Sequence, residues 1–389
     1  MNRSFLLIAA SVLALGGGYF VYQGQVSNGA GTDGASVAAS PTPASEPTEG
    51  ASPATPAAAA SSNENITLFT FESLGDDPLL QLYVEKYGEK PNVKLFADED
   101  EAYTSMLAGY KPDLMGPCSY EFDRWREADL LQPIDITKLA YWNKIAPSLK
   151  NIPGAMKSET EAWFVPQYWA STSITYRKDL APEYAENESW GILFDPKYKG
   201  RVSALEGVDD TGTLVAKYAG FDPYNLTPEQ WTQVQAKLRE LVANARFIST
   251  DQTTIAQGLA SGEIVAAITW ADSYGQLKGE GKPVGFMQPP GGVFNYVCGF
   301  VAHKESKGMD RILTLIDSGL TDAAALYLVE SYSNGSANVE AMAKIPQETL
   351  DAAGLTADVD AYLAKGTFQS RLPNKDEIVR TWTEIRAGL

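Results

Sequence analysis

The chain has 389 residues, 44% of them hydrophobic, which is enough to bury a large core and to form two domains. Its net charge is −18 and it contains no Lys/Arg-rich tract, which argues against nucleic acid as a partner, because phosphate binding is dominated by basic side chains. One histidine, His303, excludes any site with two histidine ligands and is the sole candidate for a Ser-His-Asp arrangement.

In chain order, residues 1–23 read as a targeting segment: Asn2 and Arg3 precede the uncharged run Phe5–Tyr22. That run is long for a signal-peptide core and marginal for a membrane span, and it lacks a clean small-x-small cleavage site. The balance leans to an uncleaved anchor over a cleaved signal, and both export the remainder. Residues 24–63 are rich in Ala, Ser, Pro, Gly and Thr and nearly devoid of large apolar side chains, so they are expected to form a disordered tether.

The globular body starts with a strand pattern at Ile66–Thr70. A helix follows with Pro78 in its first turn, Asp76 or Asp77 as cap and Leu79–Tyr87 at helical spacing. Val93–Phe96 reads as a strand and Glu101–Gly109 as a helix. Pro112–Pro117 reads as a strand that delivers Cys118, Ser119 and Tyr120 to its C-terminal end. Trp163–Trp169 and Ser173–Tyr176 are extended and aromatic-rich. Pro196 and Gly200 bracket a turn before the apolar strand Arg201–Leu205, after which Glu206, Asp209 and Asp210 form an acidic loop. Pro228–Ala243 is a helix capped by Thr227, and Ile264–Trp270 is a strand ending in Trp270-Ala-Asp272. Gly291–Ala302 is a return strand, and helices follow at Asp310–Asp317, Asp322–Ser331 and, amphipathic, Asp376–Arg386. Short strands alternating with helices predict an α/β fold with a largely parallel sheet, whose ligand groups stand at the carboxyl ends of strands.

Enzyme chemistry finds little support in these patterns. His303 stands in the charged run His-Lys-Glu-Ser-Lys and reads as a surface residue. The Gly-rich stretch 275–282 lacks P-loop spacing and is followed by Pro283, and no G-x-G-x-x-G occurs. Carboxylates are numerous enough to leave a carboxylate-pair hydrolase as a distant alternative. Cys118 and Cys298 both follow strand-like segments, and a disulfide and two buried thiols both fit an exported chain.

Trp190-x-x-Leu193-x-x-Pro196-x-Tyr198-Lys199-Gly200 resembles the spermidine/putrescine group of periplasmic solute-binding proteins of ABC transporters. So do Pro112-Asp-Leu with Ser119-Tyr120, Val165–Trp169, Gly262–Trp270, Gly291–Phe294 and Phe368-Gln369, in the same order. The resemblance implies a type II-like fold of two α/β lobes with the ligand in the cleft between them. Residues 64–167 plus 296–340 would form lobe 1 and residues 168–295 plus 341–389 lobe 2. It implies no catalysis, no cofactor and no metal, a periplasmic monomer, and delivery of a small organic cation to an ABC permease in the inner membrane. A ligand-sensing module for a membrane receptor is the alternative. The same topology implies that Cys118 and Cys298 join two parts of one lobe.

Carried over position by position, the family's ligand-contacting residues fall on Phe71-Glu72, Ser119-Tyr120, Asp210, Trp270 and Gln369, with Asp209 and Asp272 alongside. One family acid becomes Gly207, and the family's Trp-x-Asp in the return strand becomes Asn295-Tyr296-Val297. The ring faces of Phe71, Tyr120, Trp270 and Tyr296, with Glu72 and Asp210 as anions, suit an organic cation. Because Val297 replaces the family's main ammonium-binding acid, a ligand with one cationic centre is expected to bind better than a long polyamine.

Overall fold

A computed structural model describes residues 64–388. The targeting run and the tether expected over residues 1–63 lie outside the described residues. The strands that organise the body are β1 (Thr67–Thr70), β2 (Asn92–Leu95), β3 (Leu114–Gly116), β4 (Val165–Arg177), β5 (Val202–Leu205), β6 (Ala245–Ser249), β7 (Ala266–Trp270) and β8 (Phe294–His303). They follow one another across the sheet in the order β2-β1-β3-β8-β4-β7-β5-β6.

At either end the pairing is parallel: β1 with β2 and β3, and β5 with β6 and β7. Helical crossovers supply these connections, as parallel pairing requires. The helices that bear on function are α1 (Asp77–Tyr87), α2 (Glu99–Leu107), α3 (Phe122–Glu127), α4 (Val208–Tyr218), α5 (Pro228–Asn244), α6 (Ala271–Gly279), α7 (Met309–Ser318), α8 (Asp322–Tyr332) and α9 (Lys375–Arg386). Local chemistry explains several of their ends. Pro78 sits in the first turn of α1, and Gly88 ends it in the left-handed region at φ 73°. Thr227 and Gln230 close a capping box at the start of α5. Asp76 precedes α1 but makes no cap bond. Its carboxylate instead accepts from the hydroxyls of Tyr327 (2.8 Å) and Tyr332 (2.6 Å) on α8.

The centre is antiparallel. The 13-residue β4 pairs with the 10-residue β8 from Thr172↔Phe294 to Val165↔Phe300, with a register shift at Cys298/Gly299. Two hydrophobic cores lie on either side of this pair. The first gathers β1, β3, α1, α7 and α8, with Val165–Ala170 and Tyr296–Ala302. The second gathers β5, β7, α4, α5 and α9, with Ile174, Tyr176 and Phe294. Both long strands therefore run from one core into the other. The segment around Leu350, Val359 and Leu363, placed with the second set from sequence, packs in the first core.

The extended stretch read over Trp163–Trp169 and Ser173–Tyr176 is one strand, β4. Two local expectations are corrected. Of the acids after β5 only Glu206 stays outside a helix: Asp209 and Asp210 occupy the first turn of α4, whose residues Leu214 to Ala216 are buried. Carboxylates suit that turn because they complement the helix dipole. His303 is buried, not on the surface (2% exposed), because β8 extends one residue past its apolar run. Its Nδ1 accepts from the Glu305 amide at 3.2 Å, and burial holds the imidazole below its ordinary pKa.

Cys118 and Cys298 are joined in a disulfide across 180 residues of sequence, inside the first core. Closing a loop of that length stabilises a fold by about 5 kcal/mol in the chain-entropy model. The variant Cys118→Ser/Cys298→Ser should therefore denature at clearly lower denaturant concentration than the oxidised protein. Equilibrium unfolding under non-reducing conditions reads the difference, and coincident curves would refute it.

Candidate ligand-binding site

Where β4 and β8 pass between the cores, their side chains turn polar: Ser171, Thr172, Ser173 and Asn295 are all fully buried. Buried polar groups need partners, and these find them in different parts of the chain. Ser171 Oγ donates to Asn295 Oδ1 (2.8 Å), and Asn295 Nδ2 donates to the Leu363 carbonyl (3.0 Å). Ser173 Oγ donates to the Met287 carbonyl and accepts from Trp190 Nε1. Thr172 Oγ1 donates to Asp210 at 2.7 Å.

Asp210 is the centre of the arrangement. Besides Thr172 it accepts from Gln369 Nε2 (3.0 Å) and Trp270 Nε1 (3.1 Å). Burial raises its pKa, and these three donors work against that rise. The carboxylate is thus held in one orientation at the carboxyl ends of β5 and β7.

Around it stand aromatic rings. Trp270 packs against both cores and lies edge-on to Tyr296 with centroids 6.5 Å apart; Tyr296 meets Tyr168 edge-on at the same separation. The phenols of Tyr120 and Tyr296 are pushed well above their usual pKa, first by burial and then by surrounding negative charge. For Tyr120 that charge is Glu99, Asp209, Asp210 and Glu121; for Tyr296 it includes Asp272 and Asp210, after the Tyr168 phenol. These rings are neutral at physiological pH, with electron-rich faces beside carboxylates.

Two of the acids are held in unusual states. Burial pushes Glu99 up to about 8, with Glu121 and Asp209 adding to the rise and Lys375 opposing it. Asp272, at the start of α6, is pushed up to about 6 by burial, although it accepts from the Ser273 amide (2.6 Å) and Gln252 Nε2 (3.2 Å). Among the described residues no group of three or more His, Cys, Asp or Glu is arranged to hold a metal ion. The chemistry on offer is capture of a cation by carboxylates and ring faces.

The structure brings together Tyr120, Asp209, Asp210, Trp270, Asp272, Tyr296 and Gln369 of the residues singled out from sequence. It places the others differently. Phe71 is half-buried against Phe96 with centroids 4.5 Å apart, and Glu72 is exposed in the first turn of a short helix. Ser119 contributes its amide, which donates to the Val297 carbonyl at 2.7 Å. The Asn295 side chain is taken up by Ser171 and Leu363, and Val297 is buried in the first core. Sequence reasoning missed Glu99, Glu121, Tyr168, Thr172 and Lys375. For Lys375 a signal existed, since a lysine opening the acidic first turn of a helix runs against the helix dipole. For Glu99, one acid in the run Asp98–Glu101, none did.

Comparison with known proteins bears on the family and the fold. A family model for bacterial extracellular solute-binding proteins matches residues 96–366. The putrescine-binding periplasmic protein of Escherichia coli (strain K12) is 24% identical over 293 residues, covering 71% of this chain and 78% of that protein. The spermidine/putrescine-binding periplasmic protein of Salmonella typhimurium is 22% identical over 336 residues, covering 85% and 94%. Among solved structures, the TpPotD lipoprotein of Treponema pallidum superposes with a TM-score of 0.71 at 18% identity, covering 83% of this chain and all of that one. The superposition shows that the chain has the two-lobe periplasmic-binding-protein fold.

The raised pKa of Glu99 has a consequence for stability. An unfolded glutamate ionises at its ordinary value of 4.5, whereas folded Glu99 holds its proton to about 8. Its contribution is fully present below pH 4.5 and is lost as pH rises through that interval. Glu99→Gln should therefore be more stable than wild type at pH 9 and gain nothing at pH 4. Paired thermal melts at the two pH values check this, and an equal offset at both would contradict it.

Proposed function

The chain belongs to the bacterial extracellular solute-binding protein family, and from that premise we propose that it is the substrate-binding component of an ABC importer that captures a small organic cation between its lobes. The observation that carries this reading is Asp210, a buried carboxylate oriented by Thr172, Gln369 and Trp270, with ring faces and further acids beside it. An ammonium seated there gains the carboxylate and a cation–π contact worth roughly 0.5–2 kcal/mol. The relatives named above bind putrescine or spermidine, which are cations of this class. They are binding proteins, which supports transport over catalysis.

In this reading lobe 1 comprises residues 64–170 and 296–366, and lobe 2 comprises residues 171–295 and 367–389, following the membership of the two cores. The protein works in the periplasm as a monomer, exported and held by the hydrophobic run Phe5–Tyr22, and its closed form docks on a permease. Ligand contacts come from Tyr120, Asp209, Asp210, Trp270, Asp272, Tyr296 and Gln369, with Glu99 and Tyr168 added. Phe71, Glu72 and Ser119 lie at the lobe 1 rim. Val297 offers no charge, so a ligand with one cationic centre binds better than spermidine.

Calorimetric titration of the soluble body with spermidine, putrescine and a set of monoammonium compounds tests the reading. Micromolar or tighter binding of an ammonium compound is expected, weakened about tenfold or more by Trp270→Ala. No heat from any cation, with the fold intact, would end it.

The pH profile provides a further check. Pairing with a cation requires Glu99 to lose the proton it holds to about pH 8, so affinity should rise from pH 6 to pH 8 and level off above. The slope is at most about tenfold per pH unit for one group. A flat profile would remove Glu99 from the site.

A further inference from the structure

Lys375 opens α9 in the second lobe, yet it is 9% exposed and its Nζ points into acids from both lobes. It lies 3.0 Å from Asp209 of the second lobe and is hydrogen-bonded to Glu121 of the first, with Asp100 at 3.8 Å. Glu121 is itself almost wholly buried, so each ion needs the other. Nothing local favours this placement. A cation in the first turn opposes the helix dipole, and the preceding Asn374 adopts a left-handed φ of 55°. The tertiary contacts hold it there. Flanking ion pairs, Arg371–Glu127 at 2.6 Å and Arg124–Asp376 at 3.4 Å, bridge the same two sides.

The position matters because it adjoins the ligand site. Asp209 precedes Asp210, Gln369 touches both through the Asp209 carbonyl (3.3 Å) and the Asp210 carboxylate, and the Tyr120 ring lies 6.0 Å from Lys375 Nζ. Lys375 faces Asp209, Glu121, Asp100 and Glu99 together. Asp209 adjoins Asp210 in the chain, so a ligand whose first ammonium sits on Asp210 would offer a second one to the acids that Lys375 occupies.

We propose that Lys375 is a tethered ammonium that latches the two lobes and takes the place of a ligand's second cationic centre, so that it sets the specificity of the cleft for singly charged amines. The specificity half rests on the cation-binding reading above; the latch half does not. Two like charges cannot share the Asp209–Glu121 end without mutual repulsion, so a diammonium ligand must displace the lysine, whereas a monoammonium ligand leaves it in place.

The test compares putrescine with n-butylamine on wild type, Lys375→Met and Lys375→Gln by calorimetry, alongside small-angle scattering of the ligand-free proteins. Glutamine retains a hydrogen-bond donor toward Glu121 and Asp209, which guards against a folding failure in the methionine variant. Expected is a gain of at least tenfold in the putrescine-to-butylamine affinity ratio and a larger ligand-free radius of gyration in both variants. A ratio unchanged within twofold in folded variants overturns the specificity role. If neither amine binds any of the three proteins, the cation-binding reading fails and the specificity role with it. Scattering then decides the latch, which an unchanged radius of gyration overturns.

Discussion

The body depends on one antiparallel pairing, that of β4 with β8, because these strands carry the chain from one hydrophobic core into the other. Apolar side chains at their ends belong to one core or the other. The stretch between them has no apolar environment to join, and Ser171, Thr172, Ser173 and Asn295 fill it. A buried hydroxyl or amide without a partner costs more than a made hydrogen bond gains. Each of these four is therefore tied to a different segment: β8, α4, the residues after β7, and the helix near Leu363. The need to satisfy polar atoms at the crossing is what draws Asp210 into place, and Trp270 and Gln369 follow it.

Once Asp210 is fixed, electrostatics shapes the rest. Glu99, Asp209, Asp210 and Asp272 surround the same set of rings, and burial raises the pKa of Glu99, Asp210 and Asp272. The protein meets this cost in two ways: Glu99 keeps its proton to about pH 8, and Lys375 supplies an internal positive charge. In the proposed function, a cation entering the site relieves the remaining negative charge. The tyrosines hold their protons chiefly because they are buried, with the surrounding negative charge adding to the effect.

The order of strands and helices was legible in the sequence because it rests on local rules. Pro78 and Gly88 bound α1, Thr227 and Gln230 cap α5, and period and length mark β7. Errors arose where a neighbour decided. Asp209 and Asp210 read as a loop because no capping side chain marks the start of their helix, whose N-cap is Gly207. His303 read as exposed because charged residues follow it, whereas β8 carries it one step further inside. Of the residues singled out from sequence, Glu72 faces solvent and Asn295 closes a hydrogen bond within the crossing.

By itself the sequence determined the α/β fold class and the aromatic and acidic character of the segments that carry Tyr120, Asp210, Trp270 and Tyr296. Both follow from residue type and spacing along the chain. Only the tertiary structure decided which acids gather around Tyr120 and Tyr296, that burial raises the pKa of Glu99, and that Lys375 bridges Glu121 and Asp209. Asp209 and Lys375 are distant in sequence, as are Glu121 and Lys375. Their interaction energies depend on separation and burial, and neither exists until the two cores have formed and the crossing strands have set them side by side.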